Sequence, residues 1–266
     1  MPGVLGNLET QLFAYVQLRG LTSVRTGDLI RPLGITPTQE REMLSRLARR
    51  GLIARVRRGL YLVPPRIPPG GKWSPGEFAA LSALIADRGG RYQICGPNAF
   101  YRYGWDNQVP NRIYAYNNRI SGERKIGTVV LVLIKVSDQR LGGTEVFQTP
   151  DGVEAVYSSR TRSLIDAIYD WPRFGTLPAS YAWIRAELAT DGKAAPRLIE
   201  AALQYGNVGT LRRLGKLLDL EGTKPVLLRK LEAEIPPSSA LIPWVPSYPK
   251  RGTVDRRWGV LFNDRP

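Results

Sequence analysis

The first fifty residues carry apolar side chains at the spacing of three amphipathic helices. The first helix is predicted within Leu8–Leu18, and the second begins after a cap at Thr26 and is kept short by Pro32, which lacks a backbone N–H. The third helix has the clearest limits. It begins at Thr36, where a cap residue precedes a proline, and it ends before Gly51, a residue suited to the left-handed position that follows a helix.

A segment of apolar and basic residues, Leu52–Val63, follows the third helix. Two short apolar strands flank the sequence Arg57-Arg58-Gly59, so the segment predicts a β-hairpin with cations at its tip. Helix, turn, helix and basic hairpin, in this order, are typical of a winged helix-turn-helix. In that fold the third helix enters the major groove of DNA, and the wing contacts the phosphate backbone or the minor groove.

Residues 63–71 are rich in proline and glycine and predict a linker between two domains. We expect a winged helix-turn-helix domain over residues 1–66 and a second domain over residues 72–266. In the second part a helix is predicted from a cap at Ser74, a hairpin turn at Pro150–Gly152, and several amphipathic helices after Ser159. The predicted fold class is therefore α+β, a winged helix followed by a larger mixed α/β domain with a central sheet and several helices.

Positive charge is concentrated in the predicted winged helix. The whole chain has 38 lysines and arginines against 23 acidic residues, a net charge of +15. Residues 1–66 hold eleven arginines and only four acidic residues, and seven of these arginines lie between residues 41 and 58. Since like charges repel, their concentration on the third helix and the wing indicates a polyanionic partner, chiefly nucleic acid.

The polar face of the third helix, opposite the apolar positions Leu44 and Leu47, presents side chains that can bind bases and phosphates. The predicted DNA-contacting residues are Thr38, Gln39, Glu42, Ser45, Arg46 and Arg49 on the helix and Arg55, Arg57 and Arg58 on the wing. Arg46 suits guanine and Gln39 suits adenine, while Glu42 suits cytosine or the orientation of a neighbouring arginine. Gln39 is equally suited to capping the helix, and a polar face of this kind is common on surface helices.

Composition argues against several classes of protein. The chain contains no histidine, which removes the usual general base and every histidine-based zinc site. Cys95 stands alone, so no disulfide forms within the chain, and the longest apolar run, Thr128–Ile134, is too short to span a membrane. The start of the chain does not resemble a secretory signal. These features predict a cytoplasmic protein.

No catalytic signature is visible after the linker. The sequence lacks a phosphate-binding loop, a nucleophile elbow and carboxylates at metal-ligand spacing. Asp166 and Asp170 lie four residues apart on one predicted helix, where ion pairs with Arg162 or Arg173 are the expected role. We therefore predict no enzyme activity, no metal and no cofactor.

Five segments together resemble a known family. They are the wing with its Val-Pro exit (Leu52–Pro64), a small-residue helix (Gly96–Gly104), a strand-to-helix junction (Ser158–Asp166), an Arg-Leu-Gly helix (Leu211–Leu218) and a closing strand (Trp258–Asn263). In this order the chain resembles the AbiEi-type antitoxins of the AbiE bicistronic toxin–antitoxin systems. The family usually has a histidine before the glycine that ends the small-residue helix, and this chain has Tyr103 instead.

The resemblance implies an autorepressor that binds inverted repeats in the promoter of its own operon. It also implies a second domain that counters a toxin of nucleotidyltransferase fold, without necessarily forming a stable complex with it. Arg212, Arg213 and Lys216 share a helix face and become candidates for antitoxicity or an auxiliary DNA contact, or they form a solvated face. No coiled-coil heptads are visible, so we expect a monomer in solution and two copies on an inverted repeat.

Two other functions fit the sequence. A nucleic-acid-modifying enzyme would use the winged helix as a targeting module and the basic α+β domain as the catalyst, and it would need a cluster of carboxylates for a divalent metal. A winged-helix scaffold for protein interactions would show no salt-sensitive binding to DNA.

Overall fold

The computed structural model describes residues 5–67, 72–149 and 152–264. The described helices are α1 (Asn7–Arg19), α2 (Ile30–Leu33), α3 (Pro37–Arg49), α4 (Glu77–Asp87), α5 (Pro97–Arg102), α6 (Arg160–Tyr169), α7 (Trp171–Phe174), α8 (Ala179–Thr190), α9 (Ala194–Tyr205), α10 (Val208–Leu220) and α11 (Pro225–Ala233). The described strands are β1 (Ser23–Arg25), β2 (Ala54–Arg57), β3 (Leu60–Leu62), β4 (Tyr92–Ile94), β5 (Ile113–Asn117), β6 (Gly122–Ile126), β7 (Val129–Lys135), β8 (Thr144–Gln148), β9 (Glu154–Ser158), β10 (Ile242–Pro243), β11 (Thr253–Asp255) and β12 (Val260–Phe262). The predicted α+β fold class is confirmed.

The chain folds into two compact units. The first comprises residues 1–92, 111–136 and 148–155, and the second comprises residues 93–110, 137–147 and 156–266. The unit that contains the winged helix thus also contains α4 and β5–β7. The predicted linker at residues 63–71 stays a prediction, and residues 68–71 of it lie outside the described residues.

The first unit begins with the element order of a winged helix. Helices α1, α2 and α3 are followed by the hairpin of β2 and β3, and β3 also pairs with β1 in a three-stranded antiparallel sheet of order β1-β3-β2. The predicted wing is therefore present. Strand β1 was not predicted, because its three residues carry no periodic pattern and become a strand only by pairing with β3.

The predicted limits of α3 are confirmed. The Thr36 hydroxyl accepts a hydrogen bond from the Gln39 amide at 3.2 Å, and the Gln39 side-chain oxygen accepts one from the Thr36 amide at 2.8 Å. At the other end Gly51 has a φ of 72°, and the Leu52 amide donates to the Leu47 carbonyl at 3.0 Å. These bonds satisfy backbone groups that a helix end leaves unpaired.

The second helix differs from its prediction. It spans only Ile30–Leu33, and Thr26 does not cap it. The amides of Gly27 and Leu29 donate instead to the carboxylate of Glu40 on α3, at 2.7 and 2.9 Å. A long-range acceptor has therefore replaced the local cap that the sequence suggested.

The remainder of the first unit consists of α4 and three strands. Strand β7 pairs with β5 in parallel and with β6 in antiparallel orientation. Helix α4 begins at Glu77 with Gly76 as its cap, so the prediction of a cap at Ser74 is wrong. The Ser74 hydroxyl accepts hydrogen bonds from the amide and the hydroxyl of Thr128, at 3.0 and 2.8 Å, and is thus committed to a tertiary contact.

The second unit is largely helical around one apolar core. Helices α6 and α8–α11 contribute to that core, and Trp258 is fully buried against Gly215 of α10, where an added Cβ would lie 2.1 Å from the indole ring. Strand β4 pairs in parallel with β9, and β12 lies between β10 and β11. Cys95 is buried. Of the hairpin turn predicted at residues 150–152, residues 150 and 151 lie outside the described residues.

The carboxylates on α6 form ion pairs, as the sequence predicted. Asp166 is fully buried and accepts from Arg162 Nε at 2.9 Å and from Arg140 Nη2 at 2.9 Å, while Asp170 pairs with Arg173 at 3.7 Å. Within the described residues, no group of three or more histidine, cysteine or acidic side chains is placed to hold a metal ion. None of the helices described is long and apolar enough to cross a membrane.

Candidate nucleic-acid interface

The polar face of α3 is exposed along its whole length. We define the recognition face as Thr38, Gln39, Glu42, Ser45, Arg46 and Arg49, all of which are solvent-exposed. On the opposite side of α3, Met43, Leu44 and Leu47 are buried in the core of the winged helix. The structure therefore brings together the six helical residues that the sequence singled out.

Gln39 differs from the other members of the recognition face because its side-chain oxygen is already used. It accepts the Thr36 amide at 2.8 Å as part of the capping box. Pairing with adenine uses both the oxygen and the nitrogen of a glutamine amide, so it would compete with this bond for the orientation of the side chain. Loss of a cap costs about 0.5–2 kcal/mol, which makes Gln39 less suited to base contact than its position suggests.

Arg46 is held in place by an acid on α1 that the sequence analysis did not single out. Its Nε donates to Glu9 at 2.9 Å, and Arg50 Nη1 donates to the same carboxylate at 2.8 Å. Burial favours a raised pKa for Glu9, but hydrogen bonds from Arg46, the Gly6 amide and Arg50 outweigh it and lower the pKa below its usual value. Glu9 is thus a buried anion that orients one arginine of the recognition face.

Glu40 fixes the turn that precedes α2. Its side chain is fully buried, and its carboxylate accepts the two amides that open α2. Both buried acids carry a signal in the sequence. Glu9 stands first in an apolar series at positions 9, 12, 13 and 16, and Glu40 stands first in the series 40, 43, 44 and 47. An acid on an apolar stripe must find donors inside the protein, so the pattern indicates a structural anion.

The arginines of the wing have different environments. Arg57 forms a bidentate ion pair with Asp87 of α4, with its Nε and Nη2 at 2.5 and 2.7 Å from the carboxylate oxygens. Arg25 also donates a hydrogen bond to Asp87, at 2.9 Å. The hydrogen bond from Arg57 is the main cause of a lowered pKa for Asp87. Arg55 and Arg58 are exposed, and neither has an ion-pair partner within the described part of the chain. A phosphate contact by Arg57 would compete with Asp87, whereas Arg55 and Arg58 face no such competition.

The three basic residues singled out on α10 are not a solvated face. Arg212 and Arg213 are only 5% and 6% exposed, and they donate to the carbonyls of Ala240 and Pro243 at 3.0 and 3.1 Å. Lys216 pairs with Asp255 at 2.9 Å. The expectation of solvent exposure is wrong for the two arginines, because β10 and the segment before it cover this side of α10. Contact with DNA or a toxin through these side chains would require them to leave their present partners.

The segment that contains α3 and the wing matches the model of a protein family. Residues 19–64 match the family model described as "Transcriptional regulator, AbiEi antitoxin". The matched segment is similar to an AbiEi antitoxin. It runs from the end of α1 through α2, α3 and both strands of the wing, so the match confirms the predicted resemblance for the winged helix.

Comparison over the full length gives the fold of the chain. The crystal structure of the RV2827C protein from Mycobacterium tuberculosis superposes with a TM-score of 0.60 and 16% sequence identity. The alignment covers 97% of this chain and 92% of that protein. No curated protein matches the sequence. At this level of identity the similarity establishes a shared fold and carries no information on activity.

We expect Glu9→Gln to lower the free energy of unfolding by about 1–3 kcal/mol at pH 7, because charge-assisted hydrogen bonds from two arginines are lost. The pKa of Glu9 is lowered in the folded protein. Its stabilisation is therefore present above the ordinary glutamate pKa of about 4.3 and is lost as the pH falls through the lowered value. Urea unfolding should show the difference between variant and wild type shrinking from pH 7 to pH 3.

Glu42→Gln is the matched control, because Glu42 is an exposed acid of the recognition face without an ion pair among the described residues. Its effect on stability should stay within about 0.5 kcal/mol. A Glu9→Gln effect of equal size at both pH values would contradict the assigned role of the Glu9 charge.

Proposed function

We propose that this chain is a DNA-binding transcriptional autorepressor and the antitoxin of a bicistronic operon. One observation carries the proposal. The residues that match a family of transcriptional regulators, 19–64, include the whole of α3 and the wing, and α3 presents an exposed face of cationic and hydrogen-bonding side chains. In the proposed mode of binding, α3 enters the major groove and the wing lies along the phosphate backbone.

Among the residues of the recognition face, Arg46 is the one whose side chain is best positioned to bind a base. Its Nε is held by Glu9 at 2.9 Å, and its two terminal nitrogens have no hydrogen-bond partner among the described residues. Two parallel donors suit the O6 and N7 acceptors of guanine. Because Glu9 fixes the side chain before DNA arrives, less conformational entropy is lost on binding. We therefore assign Arg46 to direct readout.

Arg55 and Arg58 are proposed to contact phosphates, and Arg57 is proposed to anchor the wing to α4 through Asp87. Both exposed arginines lie on strand β2 or at the hairpin tip, where a wing meets the backbone. Each phosphate contact contributes about −0.9 to the slope of log K against log salt concentration. The wing thus supplies affinity that does not depend on sequence, and α3 supplies the discrimination.

The antitoxin part of the proposal concerns the neighbouring gene. We infer that the operator is an inverted repeat in the chain's own promoter, occupied by two copies of a protein that is monomeric in solution. The toxin is proposed to be a nucleotidyltransferase-type enzyme encoded beside this gene. Both inferences rest on the AbiEi resemblance, which the match over residues 19–64 supports.

The first test is binding to a fragment that spans the promoter upstream of the gene, compared with a scrambled fragment of equal length at two salt concentrations. We expect preferential, salt-sensitive binding with two copies on the promoter fragment. Mobility shift together with analytical ultracentrifugation measures affinity and stoichiometry. Equal and weak binding to both fragments would overturn the autorepressor proposal and leave only charge attraction.

Arg46→Ala should weaken binding to the promoter fragment by about 1–3 kcal/mol and relax the preference for one base pair, because a base contact is lost. Arg19→Ala is the control, since it removes one exposed cation from the end of α1 without touching α3. Binding measured on a set of single-base operator variants distinguishes the two effects. If Arg46→Ala weakened promoter and scrambled DNA equally, the readout assignment would be wrong.

Co-expression tests the antitoxin role. We expect the chain to restore growth to cells that express the product of the adjacent gene from an unrelated promoter. Arg46→Ala should restore growth as well as the wild type, because repression does not contribute when the toxin is expressed from that promoter. No restoration by the wild-type chain, at a level shown by immunoblot, would contradict the proposed antitoxin role.

A further inference from the structure

A basic cleft opens in the first unit beside the recognition face. It lies at the end of α3, along strand β2 and against the turn between β6 and β7, and its volume is about 660 Å³. Five of the side chains that line it are cationic, namely Arg49, Arg50, Arg55, Lys72 and Lys125. None of the described residues that line it is acidic. The cleft therefore concentrates positive charge on a concave surface.

Arg50 is paired with Glu9, and the other four cations of the cleft differ from it and from the arginines around them. Arg46 and Arg50 pair with Glu9, and Arg25 and Arg57 pair with Asp87. By contrast, the other four cleft cations, Arg49, Arg55, Lys72 and Lys125, have no ion-pair partner within the described residues. Like charges that face one concavity repel one another, and an anion placed between them relieves that repulsion.

Hydrogen bonds between the segments that line the cleft fix its walls. The Trp73 amide donates to the Gly51 carbonyl at 2.7 Å, which ties the segment carrying Lys72 to the end of α3. The Ser74 hydroxyl accepts the Thr128 amide at 3.0 Å, which ties the same segment to the turn beside Lys125. The four cations thus project from a fixed frame.

The cleft is continuous with the surface assigned to DNA. Arg49 belongs to the recognition face and Arg55 to the wing, and both line the cleft. Lys72 and Lys125 lie beyond the winged helix, on the segment before α4 and on β6. A duplex with α3 in its major groove would carry its backbone past Arg49 and Arg55, and these two lysines line the same cleft.

We propose that the basic cleft binds the sugar-phosphate backbone of the same DNA duplex, beyond the groove that α3 occupies. This inference rests on the proposed function. Lys72 and Lys125 would neutralise phosphates that flank the operator and carry no base information, so they extend the bound site without changing its sequence.

The test compares Lys72→Ala and Lys125→Ala with wild type on the promoter fragment over a series of salt concentrations. Each variant should reduce the slope of log K against log salt concentration by about 0.9 and leave the preference for promoter over scrambled DNA unchanged. Arg124→Ala is the matched control. Arg124 precedes Lys125 on the exposed strand β6, so its side chain points to the opposite face, and it does not line the cleft. It should leave the slope at the wild-type value.

The outcomes separate this inference from the function on which it rests. Failure of the wild-type chain to prefer its promoter would overturn the proposed function. Promoter binding with unchanged slopes for both lysine variants would overturn the cleft assignment alone. A mononucleotide whose binding depends on Lys72 and Lys125, without a change in the DNA slope, would also overturn it and would assign the cleft to a small phosphate ligand.

Discussion

Glu40 places a carboxylate at a fully buried position of the winged-helix core, and the geometry of α2 and α3 depends on which donors satisfy that carboxylate. A buried carboxylate is costly unless donors surround it. The amides of Gly27 and Leu29 supply those donors at 2.7 and 2.9 Å, and they belong to the turn that opens α2. One side chain therefore fixes the turn against α3. Glu9 applies the same principle from α1, and its donors are Arg46 and Arg50.

The same pairing of charges divides the arginines into two groups. Where an acid lies within reach, as for Arg57 beside Asp87, the guanidinium holds one element against another. Where no acid lies within reach among the described residues, as for Arg49, Arg55 and Arg58, the cation remains available to a polyanion. The net charge of the chain does not show which arginines are paired with an acid and which are not. A chain with a net charge of +15 can hold many of its arginines in internal ion pairs, so the positions of the acids decide which arginines remain available to a polyanion.

The local signals in the sequence were reliable where a few neighbouring residues decide the backbone. The capping box at Thr36, the glycine at position 51 and the basic hairpin all appear as predicted, and so do helices α8–α11. Predictions failed where a distant group competes for a polar side chain. Ser74 bonds to Thr128 instead of capping α4, and strands β1 and β6 form because β3 and β7 are beside them. Their own side chains give no periodic signal.

The sequence by itself determined the order of elements in the winged helix, the exposed polar face of α3 and the family resemblance, because periodicity, caps and turns act over a few residues. Only the tertiary structure decided which cations on that surface are free. Nothing in the sequence distinguishes the roles of Arg46 and Arg57. In the structure Glu9 binds only Nε of Arg46 and leaves its terminal nitrogens available, whereas Asp87 binds both Nε and Nη2 of Arg57. Arg212 and Arg213 resemble a surface pair, yet they are buried. Each outcome depends on residues far apart in the chain, whose proximity arises from packing that no local pattern encodes.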